Sequence, residues 1–465
     1  MILRHFGQLT PLITKTPMTA LERRTVAALA GLYCFRMLGL FMVLPLLVLY
    51  AGDYSGSSAF LLGLALGAYG LAQAILQIPL GMLSDRIGRV PVIVVGLLVF
   101  AAGSLWAAQA ESIYGVIAGR FMQGAGAIAS TVMALVSDLT RDEQRTKAMA
   151  IVGMSIGLAF AVALVVGPVL ASFGGLAVVF NVTAGLALIG IAIVLLAVPR
   201  ACQIRPTHGE TGTVPALLLR SLFDPALARL NLGIFTLHFI LMAMFVSLPL
   251  VLEGSMDVHR SSHWQVYLPI LALSIAGMVP LMILAERYGR LKQAFLVAVL
   301  AVGVSQWALQ GTSGPVVFYI GLWLFFVGFN YLEATLPSLV SKTVYAGGKG
   351  TALGVYSSFQ FLGAFAGGLS GGWALQNYGV SGVFACCASL ALIWWLVCLN
   401  MQAPRELANL VVRLPAQAQQ QEAWVSRLRN APGVADLLLL AEENTVYLKV
   451  DETRFDNTIL AELSS

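Results

Sequence analysis

The chain has 465 residues, 58% hydrophobic and only 11% charged, with a mean hydropathy of +0.85. A soluble globular domain carries about a quarter charged residues, so this composition excludes a soluble enzyme and indicates a membrane protein. The net charge of +5 is not a nucleic-acid signal, because the basic residues sort by membrane side.

The polar stretch Thr14-Lys-Thr-Pro-Met-Thr19 leads into an apolar segment too long for a cleaved signal, which reads as an uncleaved first span. Crossing a bilayer takes about 20 apolar residues. Twelve such stretches follow, near 25–50, 58–82, 91–110, 112–137, 147–171, 176–198, 226–252, 264–285, 292–311, 315–341, 350–376 and 380–400. Of the 27 Lys and Arg residues, Arg36 and Arg120 fall inside spans and Arg260 follows span seven. The other 24 all lie on one side if the chain starts in the cytoplasm, whereas the opposite loops at 51–57, 172–175, 312–314 and 377–379 contain none. By the positive-inside rule both termini are cytoplasmic. The five cysteines lie in spans or cytoplasmic loops and imply no disulfide framework.

Leu83-Ser-Asp-Arg-Ile-Gly-Arg89 reappears as Leu284-Ala-Glu-Arg-Tyr-Gly-Arg290. Both copies join consecutive spans on the cytoplasmic side. A repeat of this kind, one per half, indicates two six-span bundles that move against each other. The expected organisation is an N-terminal segment 1–24, bundles at 25–198 and 225–400, a polar cytoplasmic connector at 199–224, and a domain at 401–465. In that last region the spacing predicts strands at 407–414, 436–440 and 445–450, an amphipathic helix over 415–430 ended by Pro432-Gly433, and a second helix over 454–463. The order β-α-β-β-α matches a small ferredoxin-like sandwich.

Twelve spans, two halves and Gly81-Met-Leu-Ser-Asp-Arg-Ile-Gly-Arg89 between spans two and three resemble the major facilitator superfamily. Arg120, Gln123, Gly124 and Gly126 resemble the R-x-x-Q-G-x-G pattern of its twelve-span drug–proton antiporter branch. Gly167-Pro168 resembles that branch's Gly-Pro motif, although Val169-Leu-Ala-Ser172 departs from the glycines that usually follow. With its added C-terminal domain the chain is similar to the YajR-type transporters. The resemblance implies an all-α membrane protein with the major facilitator fold and a small α+β ferredoxin-like appendage. It also implies a proton-coupled inner-membrane exporter of small amphipathic or drug-like compounds, working as a monomer by alternating access. A nutrient uniporter or symporter, or a membrane sensor signalling through its C-terminal domain, are the other readings.

The repeated loop reads as a gate. Asp85 is placed to reach a helix N-terminus in the other half, where the dipole is positive, a contact of about 0.3–2 kcal/mol. Arg86 and Arg89 are candidate partners of Asp138 or of lipid phosphates, while Gly81 and Gly88 permit close approach and a tight turn. Glu286, Arg287 and Arg290 are the second-half counterparts. A simple topogenic turn is the bland alternative.

Charges within the bilayer cost at least a few kcal/mol and generally face a partner or a cavity. Arg120 and Arg36 are therefore candidates for proton coupling beside an acid, or structural groups bonded to helix carbonyls. Glu333 is the one acid well inside a span. It reads as a proton carrier tuned by Asn330, as partner to an intramembrane arginine, or as part of a cytoplasm-exposed surface. His238 is a titratable candidate or a packing residue. Near Asp257, His259 and His263 are four apart, a spacing that can bind metal on a helix. With no third ligand, a solvated loop is the expectation and no metal is assigned. No nucleophile elbow, phosphate loop or cofactor motif is present, so enzymatic activity is not expected. The partners expected are a small-molecule substrate, protons and lipid, with no nucleic acid. The tail lacks cysteine and reads as a regulatory or interaction module.

Overall fold

The computed structural model describes residues 17–199, 215–310, 314–401, 407–414, 418–440, 445–451 and 454–456. Thr19 caps the first helix, α1 (Ala20–Val43), reciprocally with Glu22. Span one was expected to run as helix to residue 50, but beyond Val43 the chain is a series of turns, as suits Pro45, which has no N–H to donate. Then follow α2 (Ala59–Ile87) and α3 (Arg89–Ala108), joined through Gly88 alone at φ +97°. That backbone conformation belongs to glycine, so the tight turn expected there has a steric basis.

Span four is not the continuous helix that 112–137 predicted. It is α4 (Ile113–Ala125) followed by α5 (Ala129–Asp138). At the break, Gly126 packs on the backbone of Gly96 and Phe100, and its carbonyl accepts a hydrogen bond from Arg36 at 3.2 Å. A buried donor thus takes up a carbonyl group at the interruption, as a membrane interior demands. The N-terminal bundle ends with α6 (Asp142–Ala171) and α7 (Gly175–Ala197).

Within the polar connector, α8 (Pro215–Phe223) is helical. The second bundle comprises α9 (Pro225–Gly254), α10 (Trp264–Glu286), α11 (Leu291–Ala308), α12 (Pro315–Thr343) and α13 (Lys349–Cys398). The 50-residue α13 is spans eleven and twelve run together, with Gly379 as the one non-helical residue between them. Among the described residues, ten helices are long and apolar enough to cross a membrane. Counting α13 as two crossings and adding the split span four gives twelve.

The tail forms β1 (Ala408–Arg413), α14 (Ala418–Arg429), β2 (Val434–Leu440) and β3 (Thr445–Val450). Its sheet has the order β1-β3-β2, with β3 antiparallel to both neighbours. That is the split βαβ arrangement of a ferredoxin-like domain. Leu414, Leu428, Val446, Leu448, Val450 and Phe455 make its core. Apart from residues 454–456, the second helix expected there lies outside the described residues.

Candidate functional site

The two bundles meet along a seam of small residues between α2 and α13. Gly63, Gly67 and Gly70 oppose Gly372, Gly368, Phe365 and Phe361 so closely that a methyl at Gly67 would stand 2.7 Å from the Phe365 carbonyl oxygen. Glycine allows helix backbones to approach in this way. All of these residues lie in the outer half of the spans or at their middle. Toward the cytoplasm the seam loosens, and a methyl at Gly354 would find Ile78 at 3.8 Å.

Further contacts close the outer side. Phe160 on α6 meets Phe245 on α9 and Phe326 on α12, with ring centroids 6.4 and 6.3 Å apart. Arg260, the exception to the basic-residue pattern, lies 5.1 Å above the Tyr50 ring of the other half and reaches the Leu49 carbonyl at 3.4 Å. Gly167 packs on Met42 of α1, and Pro168 lies within α6 without ending it.

On the cytoplasmic side the charged groups of the first loop pair within their own bundle. Asp85 pairs with Arg89 and not with a helix end of the other half. The reason is proximity: the turn at Gly88 brings Arg89, the first residue of α3, back against the last turn of α2. Arg89 also holds Asp138 at 3.1 Å and Ser84 at 2.7 Å. Gly81 packs on Ser130. Arg86, Glu286, Arg287 and Arg290 are exposed.

Of the two readings of the intramembrane arginines, beside an acid or bonded to helix carbonyls, the structure matches the second. Arg36 and Arg120 are each 1% exposed. Arg36 bonds the Tyr69 hydroxyl and the Gln73 amide oxygen, both at 2.9 Å, as well as Gly126. Arg120 donates to Gln123 at 2.9 Å and to the Ala65 carbonyl at 3.4 Å, with its guanidinium 5.4 Å from the Tyr69 ring. Gln123 in turn donates to Ser104 at 2.7 Å. Gly124 packs on the backbone of Tyr69. Neutral oxygens and an aromatic face thus hold both cations, an arrangement that disperses charge without a carboxylate.

Glu333 lies in the other bundle, and Asn330 is not its partner, because the Asn330 amide donates to Ser274 at 2.8 Å. Gln360 of α13 reaches Glu333 at 3.2 Å and His238 of α9 at 2.9 Å. The His238 Nε2 is 3.9 Å from a Glu333 oxygen. Three helices thereby bring together an acid, a base and a bridging amide. The Glu333 side chain remains 40% exposed while that of His238 is 14% exposed, so one member is open to solvent and the other is shielded. Gln360 was not among the residues singled out from the sequence.

The outer histidines diverge. His263 is buried, contrary to the solvated loop expected, and bonds the Val258 carbonyl at 3.0 Å. His259 remains exposed and pairs with Ser261 at 2.8 Å. No cluster of metal-ligating side chains occurs among the described residues.

Comparison with known proteins agrees with this architecture. Residues 29–368 match the model of the Major Facilitator Superfamily. The chain is 44% identical over 437 residues to the inner membrane transport protein YajR of Escherichia coli K12, covering 93% of this chain and 95% of that protein. It is 30% identical over 350 residues to the multidrug resistance protein MdtH of Aeromonas hydrophila, covering 74% and 85%. A bacterial homologue of the lysosomal transporter Spinster, solved inward-facing, superimposes with a TM-score of 0.64 over 84% of this chain and all of that one, at 14% identity. The protein is a multi-pass transporter of the inner membrane for a small-molecule substrate and not an enzyme. The chain belongs to the Major Facilitator Superfamily.

Proposed function

We propose that this transporter is a proton-driven exporter of small amphipathic compounds. The observation that carries the reading is the Glu333–Gln360–His238 cluster. A half-exposed carboxylate on one side of a bridging amide and a shielded imidazole on the other is a site where one proton can be taken up and released per cycle. The similarity to a protein named for multidrug resistance supports export of drug-like molecules. In this reading Arg120 and Arg36 set the local field of the N-terminal bundle, and Gln123, Gly124, Gly126, Gly167 and Pro168 shape its packing.

The cytoplasmic loop acts as the gate. The seam sets Ile78 opposite Gly354, and continuing the same antiparallel register brings Asp85 level with residues 347–349, where α13 begins. In the outward-open state the Asp85 carboxylate leaves Arg89 and meets that helix N-terminus. Gly81, Arg86, Gly88, Arg89 and Asp138 support it, with Glu286, Arg287 and Arg290 as the weaker copy in the second half.

The decisive measurement is proton flux in reconstituted vesicles loaded with candidate amphipathic compounds. Wild type should move protons against substrate, and Glu333→Gln should lose that flux by at least about tenfold, equivalent to ~1.4 kcal/mol, while still binding substrate. Substrate movement in wild type without any proton movement would refute the coupling.

A further inference from the structure

The tail domain presents two faces, and both are covered. Along β3 the alternation Val446, Leu448 and Val450 points into the domain's own core. The intervening residues Thr445, Tyr447 and Lys449 belong to the opposite face, where a free-standing sandwich would meet water. They are 2%, 2% and 4% exposed. What buries Tyr447 and Lys449 is the cytoplasmic end of the C-terminal bundle. Asp436 and Leu438 of β2 lie directly across the sheet from Lys449 and Tyr447 and share that face.

The contacts are specific. The Lys449 ammonium donates to the carbonyls of Lys342 and Val344, at the last turn of α12, where a helix's free carbonyls and negative dipole end favour a cation. The Asp436 carboxylate accepts from the Ala346 backbone N–H at 3.0 Å. It also lies 3.8 Å from Arg220 on α8. Leu438 and Tyr447 press on Gly347, where φ is +69°. Arg220 stacks 4.2 Å over the Tyr345 ring, and the Tyr345 hydroxyl donates to the Leu217 carbonyl at 2.8 Å. One face of the tail thus grips the segment between spans ten and eleven and, through Arg220 and Tyr345, the connector that joins the two bundles.

We propose that the C-terminal domain is an intramolecular clamp on this hinge, and that its docked form favours the carrier closed on the outside. The gripped segment leads directly into the start of α13, the helix end that Asp85 must reach when the cytoplasmic side closes, and in this structure that contact is not made. The proposal rests on the alternating-access reading above, but its test needs neither a substrate nor a proton.

The test uses the full chain in lipid nanodiscs with two readouts. Hydrogen exchange at residues 344–347 reports docking. A spin-label distance between positions 147 and 293, at the cytoplasmic starts of spans five and nine, reports the gate. Asp436→Ala and Lys449→Met should each accelerate exchange at Ala346 and shift the distance distribution about fivefold toward the closed cytoplasmic side, the low end of typical coupling between sites. Lys449→Met keeps the aliphatic stem, so its effect does not depend on unfolding the tail. Arg454→Ala, on an exposed part of the same domain, should change neither readout. Unchanged exchange in both docking variants would overturn the clamp. So would faster exchange with an unaltered distance distribution, or an equal shift in Arg454→Ala.

Discussion

The two bundles share a fold and a repeated loop, yet they handle buried charge in opposite ways. The N-terminal bundle encloses two guanidinium groups, Arg36 and Arg120, and sets them against neutral oxygens and the Tyr69 ring. The C-terminal bundle holds one carboxylate, Glu333, in a cluster with a second titratable group and leaves it partly open. A cation locked among neutral acceptors is fixed in charge and position and serves as scaffold. A carboxylate that shares a bridging amide with an imidazole is the arrangement on which the proposed proton coupling rests. In the proposed mechanism the duplicated fold thus keeps scaffold charges in one half and the proton site in the other.

That contrast can be broken by exchanging what each site loses. Arg36→Met should cost the most stability, about 3 kcal/mol, because the Gly126 carbonyl and the Tyr69 and Gln73 oxygens lose a charged donor. Thermal unfolding in detergent reads this directly, and an unchanged midpoint would mean that Arg36 is no scaffold. Gln360→Leu should leave the fold intact but slow proton-coupled exchange about tenfold, ~1.4 kcal/mol, since the bridge between Glu333 and His238 is gone. A large stability loss with normal exchange would reverse the roles assigned to the halves. The smallest effect belongs to the contact between bundles: Arg260→Ala removes an exposed cation–π contact worth about 0.5–1 kcal/mol. Labelling from the outer side of a cysteine introduced at Leu49, beneath that contact, should rise about two- to fivefold. Tyr50→Phe keeps the aromatic face and should leave labelling unchanged.

The spans, the duplication and the cytoplasmic placement of the loops were legible because each follows from composition along the chain. What escaped depended on how helices rotate against one another. Asn330 is one helical turn from Glu333 and looked like its neighbour, but its side chain meets Ser274 on α10. Gln360, far away in sequence, supplies the bond instead. The glycines at 124 and 126 were readable as packing residues, not as a break, since the break depends on Arg36 arriving from α1 to take up a carbonyl. In the tail, the alternation in β3 located the core-facing residues correctly. It gave no hint that Tyr447 and Lys449 are also buried, because their cover comes from the membrane domain.

The single-residue joint at Gly379 carries a further consequence. With φ at +67° and nothing within 4 Å of where a Cβ would stand, it turns the chain at the outer surface with no slack. Span eleven, which forms the seam, and span twelve, which exposes Leu392, Ile393 and Leu396, are tied end to end. Any tilt at the seam is then passed to a surface that touches acyl chains. Matching that surface to the hydrocarbon thickness costs fractions of a kcal/mol per ångström, so the length of the surrounding lipids becomes one of the forces that set the carrier's resting state.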